Sequence, residues 1–116
     1  SVSYASEFTE SAGYRAMAAV LAWSVPDAFV ATDDLLALGA LKALADRGIE
    51  HLPCVGFNNS RAARDHTPAL SSVEIRPDEL GRHAARLVVE RIESGEVNEN
   101  HFIVPTHYVE RASTTE

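Results

Sequence analysis

The stretch Asp27-Ala28-Phe29-Val30-Ala31-Thr32-Asp33-Asp34-Leu35-Leu36-Ala37-Leu38-Gly39 constrains this chain most. It reads as a short apolar strand that stops on two carboxylates and passes straight into a helix. In a parallel α/β sheet the carboxyl ends of the strands face the ligand crevice, so polar groups placed there can meet a bound molecule. The rest of the chain is then read for what joins that strand end.

Upstream, Val2 and Tyr4 form one face of an expected edge strand. Thr9 or Ser11 caps a helix in which Tyr14, Met17, Ala18 and Leu21 recur at the helical period. That helix ends before Pro26, because the residue before proline avoids the α region. Phe29 to Thr32 is the buried strand. Asp33 sits where the next helix begins, and Leu35, Leu36, Leu38, Leu41 and Leu44 cover most of its circumference, with Gly48 after its end. Residues 54–57 make a second apolar strand ending on Asn58-Asn59-Ser60. Ser60 to Asp65 is a helical turn, broken by Thr67-Pro68.

Ser71 to Ile75 alternates as a third strand. Pro77 opens a helix with a stripe of Leu80, Ala84, Leu87, Val88 and Ile92, closing at Ser94-Gly95. Residues 96–100 read as a polar turn. Phe102 to Val109 is a final strand, with Pro105 confining it to an edge or bulge. Residues 111–116 read as a frayed polar tail. Alternation of this kind predicts an α/β class: a mostly parallel sheet with helices on both faces.

Composition excludes several function classes. The net charge is −7, and the nine Arg and one Lys are scattered, which argues against a grip on nucleic acid by these residues. No apolar run approaches the roughly 20 residues of a membrane span. Neither a signal peptide nor an initiator Met opens the chain, so an excised piece of a larger protein is expected. One cysteine, Cys54, excludes an internal disulfide and a cysteine zinc site, and fits a cytoplasmic setting as a small buried apolar residue. The five His are dispersed without metal-ligand spacing, so no metal and no cofactor are expected. Asp65-His66 lacks a nucleophile beside it and reads as a surface loop; no enzyme activity is expected. Arg82, Arg86 and Arg91 read as a solvated helix face.

Two strand ends carry polar clusters, Thr32-Asp33-Asp34 and Asn58-Asn59, and consecutive parallel strands bring such ends to one rim. A carboxylate accepts hydrogen bonds from hydroxyls or amines, and an Asn amide both donates and accepts. The pair suits a neutral polyol, sugar or nucleoside-like ligand better than a phosphate. Phe8 or Phe57 supplies an apolar wall. The plainer alternatives are ordinary: Asp33 caps the helix while Asp34 complements its dipole, Asn58-Asn59 is a turn, and Phe8 is core.

Several segments in order resemble the LacI/GalR family of bacterial transcription regulators. They are Phe8-Thr9-Glu10-Ser11-Ala12-Gly13-Tyr14-Arg15-Ala16-Met17, the stretch from Pro26 to Ala40, Val55 to Ser60, Thr67 to Val73, Leu80-Gly81, and Val104-Pro105 to Glu110-Arg111-Ala112-Ser113. The resemblance covers essentially the whole chain. It implies a core like the periplasmic sugar-binding proteins: two Rossmann-like lobes with a small effector between them, behind a helix-turn-helix headpiece. Residues 1–116 then correspond to the C-terminal lobe, with the helix in residues 77–95 crossing to an N-terminal lobe that these residues do not include.

By resemblance, Asp33 and Asn58 match effector-contacting positions, and Phe8 an aromatic that lines the pocket. Asn58 stands where Asp is common, which removes one charge. The resemblance further implies a homodimer, operator DNA bound only through the headpiece, and no membrane partner. Without its lobe, the stripe of the 77–95 helix is expected to fold back on its own sheet or pack on another copy, since each large aliphatic side chain gains about 1.5–3 kcal/mol on burial. Two alternatives compete: a lobe of a periplasmic sugar-binding protein, and a receiver-type signalling domain. The latter needs a phosphoacceptor Asp where Asn58 stands, and its Lys is missing because Lys42 lies mid-helix.

Overall fold

The computed structural model describes residues 1–96 and 101–115. The elements are α1 (Glu10–Leu21), β1 (Phe29–Val30), α2 (Asp34–Asp46), β2 (Cys54–Phe57), α3 (Arg61–Asp65), β3 (Ser71–Glu74), α4 (Pro77–Ser94) and β4 (His107–Val109). The strands form one sheet in the order β1-β2-β3-β4. β1, β2 and β3 are parallel, with Phe29 opposite Cys54 and Val55 opposite Ser71. β4 closes the sheet antiparallel to β3, with Ser72 opposite Val109. The α/β class and mostly parallel sheet are as expected.

α1 and α2 start on side-chain caps. Thr9 Oγ1 accepts from the Ala12 N–H at 3.2 Å, and Asp33 Oδ1 from the Leu35 N–H at 2.8 Å, each satisfying a first-turn donor the helix leaves free. The two helices pack backbone to backbone. A Cβ on Gly13 would lie 2.2 Å from the Leu36 carbonyl oxygen, and one on Gly39 would lie 1.9 Å from that of Glu10. Only glycine admits this approach. The contact seats Met17 of α1 against Ala40, Ala43, Leu44 and Leu52. A second cluster, Ala37, Leu38, Cys54, Ala63 and Leu70, joins α2, β2, α3 and the start of β3.

These clusters place α1, α2 and α3 on one face of the sheet. Strand alternation turns Val30, Val55, Phe57, Val73 and Tyr108 to the other face, where Val30 is 74% and Tyr108 46% exposed. Among the described residues, helices α1, α2 and α3 cover one face, where helices on both were expected.

Several local expectations need correction. Val2 and Tyr4 form no strand and are exposed. β1 spans two residues rather than Phe29 to Thr32, although the Ala31 N–H still donates to the Val55 carbonyl at 2.9 Å. β4 spans His107–Val109 rather than Phe102 to Val109, since β3, its partner among the described residues, ends at Glu74. Most of the polar turn read over residues 96–100 lies outside the described residues.

Residues 111–115, the described part of the expected tail, are not frayed. The Ser113 N–H donates to the Ala69 carbonyl and its carbonyl accepts from the Cys54 N–H, at 3.0 and 3.1 Å. Its hydroxyl donates to the Cys54 carbonyl and accepts from the Ser71 N–H. Polar residues read as a tail here act as a clip between the beginnings of β2 and β3.

α4 begins at Pro77, directly after Arg76 in the left-handed region (φ 50°). None of its residues is buried, and Val88 and Ile92 are 58% and 78% exposed. Of the two expected outcomes, fold-back onto the sheet and packing on another copy, the first does not occur. Instead His83 stacks on Phe102 of the returning chain, ring centres 3.8 Å apart. No helix among the described residues is long and apolar enough to cross a membrane.

Candidate functional site

The ends of β1 and β2 converge as the strand pattern requires. Asn58 Nδ2 donates to Asp33 Oδ2 at 2.7 Å, while the other Asp33 oxygen caps α2. The capping and rim roles of Asp33 therefore coexist, one oxygen for each. The carboxylate fixes the Asn58 amide orientation, because only the NH₂ side can face it. The Asn58 side-chain oxygen is not used in this bond.

Asn58 and Asn59 both lie in the left-handed region, at φ 99° and 51°. Asn tolerates this conformation better than most residues with a Cβ. The turn is held by three successive backbone donors. The Asn58 N–H reaches the Val73 carbonyl at 2.8 Å, the Asn59 N–H the Ser72 hydroxyl at 2.9 Å, and the Ser60 N–H Asp34 Oδ2 at 2.7 Å. Ser60 then caps α3 through its hydroxyl.

Asp34 is the residue the sequence reading undervalued. Expected to serve the dipole of α2, it is 1% exposed and links the start of α2 to β3 and to the turn after β2. Its Oδ1 accepts from the Ser72 hydroxyl at 2.7 Å, and its Oδ2 from the Ser60 N–H. A Cβ on Gly56 would sit 2.2 Å from Asp34 Oδ1, so glycine in β2 makes room for the carboxylate. No described buried side-chain polar atom is left without a partner. The available signal was the Gly56-to-Ser60 segment itself: a glycine in a strand marks close approach.

Arg111 is a second residue missed, because it fell in the supposed tail. Its Nη1 donates to the Leu70 carbonyl at 2.7 Å, and its Nη2 to Asn59 Oδ1. Asn59 Nδ2 in turn faces Glu74 Oε1 at 3.4 Å. Phe57, half-buried, precedes the turn on the sheet face away from α2. Phe8 is 67% exposed just ahead of the Thr9 cap, so it is not core. Hydrogen bonds thus unite Asp33 and Asn58; Phe8 and Phe57 join neither of them by a polar contact.

Chemically, the rim is a hydrogen-bonding platform for donors such as hydroxyls. Among the described residues no group of three or more His, Cys, Asp or Glu side chains clusters as a metal site. A separate depression of about 960 Å³, lined by Lys42, His51, Leu52 and His66, lies at the other end of the sheet, where β2 begins, away from Asp33 and Asn58. Cys54 beneath α2 has its thiol pushed up to about 11 by burial, opposed by a hydrogen bond from Ser113.

The family model of the periplasmic binding protein-like domain matches residues 2–114. The Lactose operon repressor of Rhizobium radiobacter is 35% identical over 105 residues, 87% of this chain and 92% of that protein. The HTH-type transcriptional repressor PurR of Escherichia fergusonii is 32% identical over 114 residues, 95% of this chain. The chain spans about a third of that relative's length, 33%. A solved complex of the transcriptional regulator CelR with cellobiose superposes with a TM-score of 0.85 at 32% identity, over 92% of this chain and 34% of that one. This chain belongs to the LacI/GalR family of transcription regulators, as a periplasmic-binding-protein-like domain.

Proposed function

We propose that residues 1–116 are the C-terminal lobe of the effector-binding core of a transcription regulator, and that they also contribute to its subunit interface. The headpiece that reads operator DNA lies outside these residues. The effector is a small polyhydroxylated molecule of the sugar or nucleoside-like kind. The observation that carries this reading is the Asp33–Asn58 pair, held across the carboxyl ends of adjacent parallel strands. The cellobiose bound by a related regulator supports a sugar among the ligand classes.

On this reading Phe8 and Phe57 supply apolar walls, and α4 is the crossover element whose exposed stripe packs on the other lobe. Effector in the cleft favours one lobe arrangement over another, and the headpieces follow by a population shift. The regulator acts by binding, with no chemical step.

Calorimetric titration of the intact regulator against a panel of neutral sugars, sugar phosphates and nucleosides tests this. One neutral class is expected to bind, and Asp33→Ala and Asn58→Ala each to weaken it tenfold or more. Binding unaffected by both substitutions would place the effector elsewhere.

A further inference from the structure

We infer that Arg111 is a positioning residue of the effector site, acting from the C-terminal segment through Asn59 upon Asn58. This rests on the effector reading for its functional meaning, while the geometry stands by itself. Asn58 reaches Asp33 from a turn that is left-handed at both 58 and 59. Backbone of that kind persists where the surroundings over-determine it. The three backbone donors of the turn are fixed by β3 and Asp34, but those bonds leave the Asn59 side chain free to rotate.

Arg111 removes that freedom. One arm of its fork is anchored on the Leu70 carbonyl at the start of β3, and the other holds Asn59 Oδ1. Glu74 takes the opposite side of the same amide. Arg111 is itself held, its N–H donating to the Ser71 hydroxyl at 2.7 Å, and the neighbouring Ser113 clip ties the segment to Cys54 and Ser71. A planar, always-charged fork can serve two acceptors at fixed separation, which lysine cannot. The segment after β4 therefore sets the aim of a rim residue on β2.

Hydrogen exchange followed by NMR tests the inference without any ligand. In Arg111→Met, the Asn58, Asn59 and Ser60 amides are expected to exchange at least tenfold faster, while the amide of Ala22, which closes α1 by donating to the Ala18 carbonyl, keeps its rate. Arg111→Lys should fall between. Unchanged exchange at 58–60, or equal acceleration in α1, would overturn the inference, the latter by showing a merely structural role. The same variants in the intact regulator, titrated with the neutral sugar its wild type binds, should bind at least fivefold more weakly. A wild type that binds nothing in the panel counts against the effector reading, and the exchange result still decides the positioning.

Discussion

Asp34 and Ser72 meet through a 2.7 Å hydrogen bond in the interior, 38 positions apart in sequence, and through it α2 is tied to β3. The same carboxylate holds the Ser60 N–H, so one buried acid joins the start of α2, β3 and the turn after β2. Asp34→Ala would leave a hydroxyl and an amide without their charged acceptor. Hydrogen bonds to charged groups contribute about 1.5–3 kcal/mol each. Chemical denaturation should show a loss of about 3 kcal/mol or more, and Asp34→Asn, which keeps one acceptor oxygen, a smaller one.

Asn58→Asp would set two carboxylates face to face in place of the 2.7 Å amide–carboxylate bond. Their repulsion at a solvent-exposed rim is worth about 1 kcal/mol. Like charges placed directly against each other destabilise the fold, and the loss of the amide donor adds to it. Melting curves at neutral pH should place the variant below the wild type, and added salt should narrow the gap.

Gly39→Ala forces a methyl group to within 1.9 Å of the Glu10 carbonyl oxygen. Backbone cannot yield there without separating α1 from α2. Overpacking costs typically about 1–3 kcal/mol, and this contact belongs at the upper end or beyond. Gly81→Ala is the control: a Cβ there meets nothing within 4 Å, and gains about 0.5–1 kcal/mol of helix propensity. Thermal unfolding should separate the two in opposite directions.

Cys54 is buried, and its thiol is pushed up to about 11 by desolvation. Thiolate is the reacting form, so alkylation of the native chain should be slow at pH 8 and complete on unfolding. The folded pKa is raised above the ordinary 9.0. Its stabilising contribution is therefore intact below pH 9 and lost as pH rises through about 11. Alkylation of the native thiol at pH 8 as fast as in denaturant would contradict this.

The order of elements was legible because periodicity is local. Tyr14, Met17, Ala18 and Leu21 mark α1, and the Leu-rich run after Asp33 marks α2, without reference to anything distant. The meeting of Asp33 and Asn58 was also legible, since parallel strands align their carboxyl ends. Arg111 and Ser113 were not, because polar residues look alike whether solvated or paired. Their partners, Asn59, Leu70, Cys54 and Ser71, lie 40 or more positions away.

The sequence by itself determined the alternating architecture, the rim on which Asp33 and Asn58 face each other, and the resemblance to a regulator family. Periods, caps and strand ends are properties of neighbouring residues. Only the tertiary structure decided that Asp34 is a buried hub rather than a dipole partner, that Asn59 is gripped by Arg111, and that the last residues clip the sheet. Each of these depends on which distant donor reaches a given acceptor in three dimensions. The opening stretch thus divides its two carboxylates: Asp33 faces outward to the rim, and Asp34 turns inward to hold that rim in place.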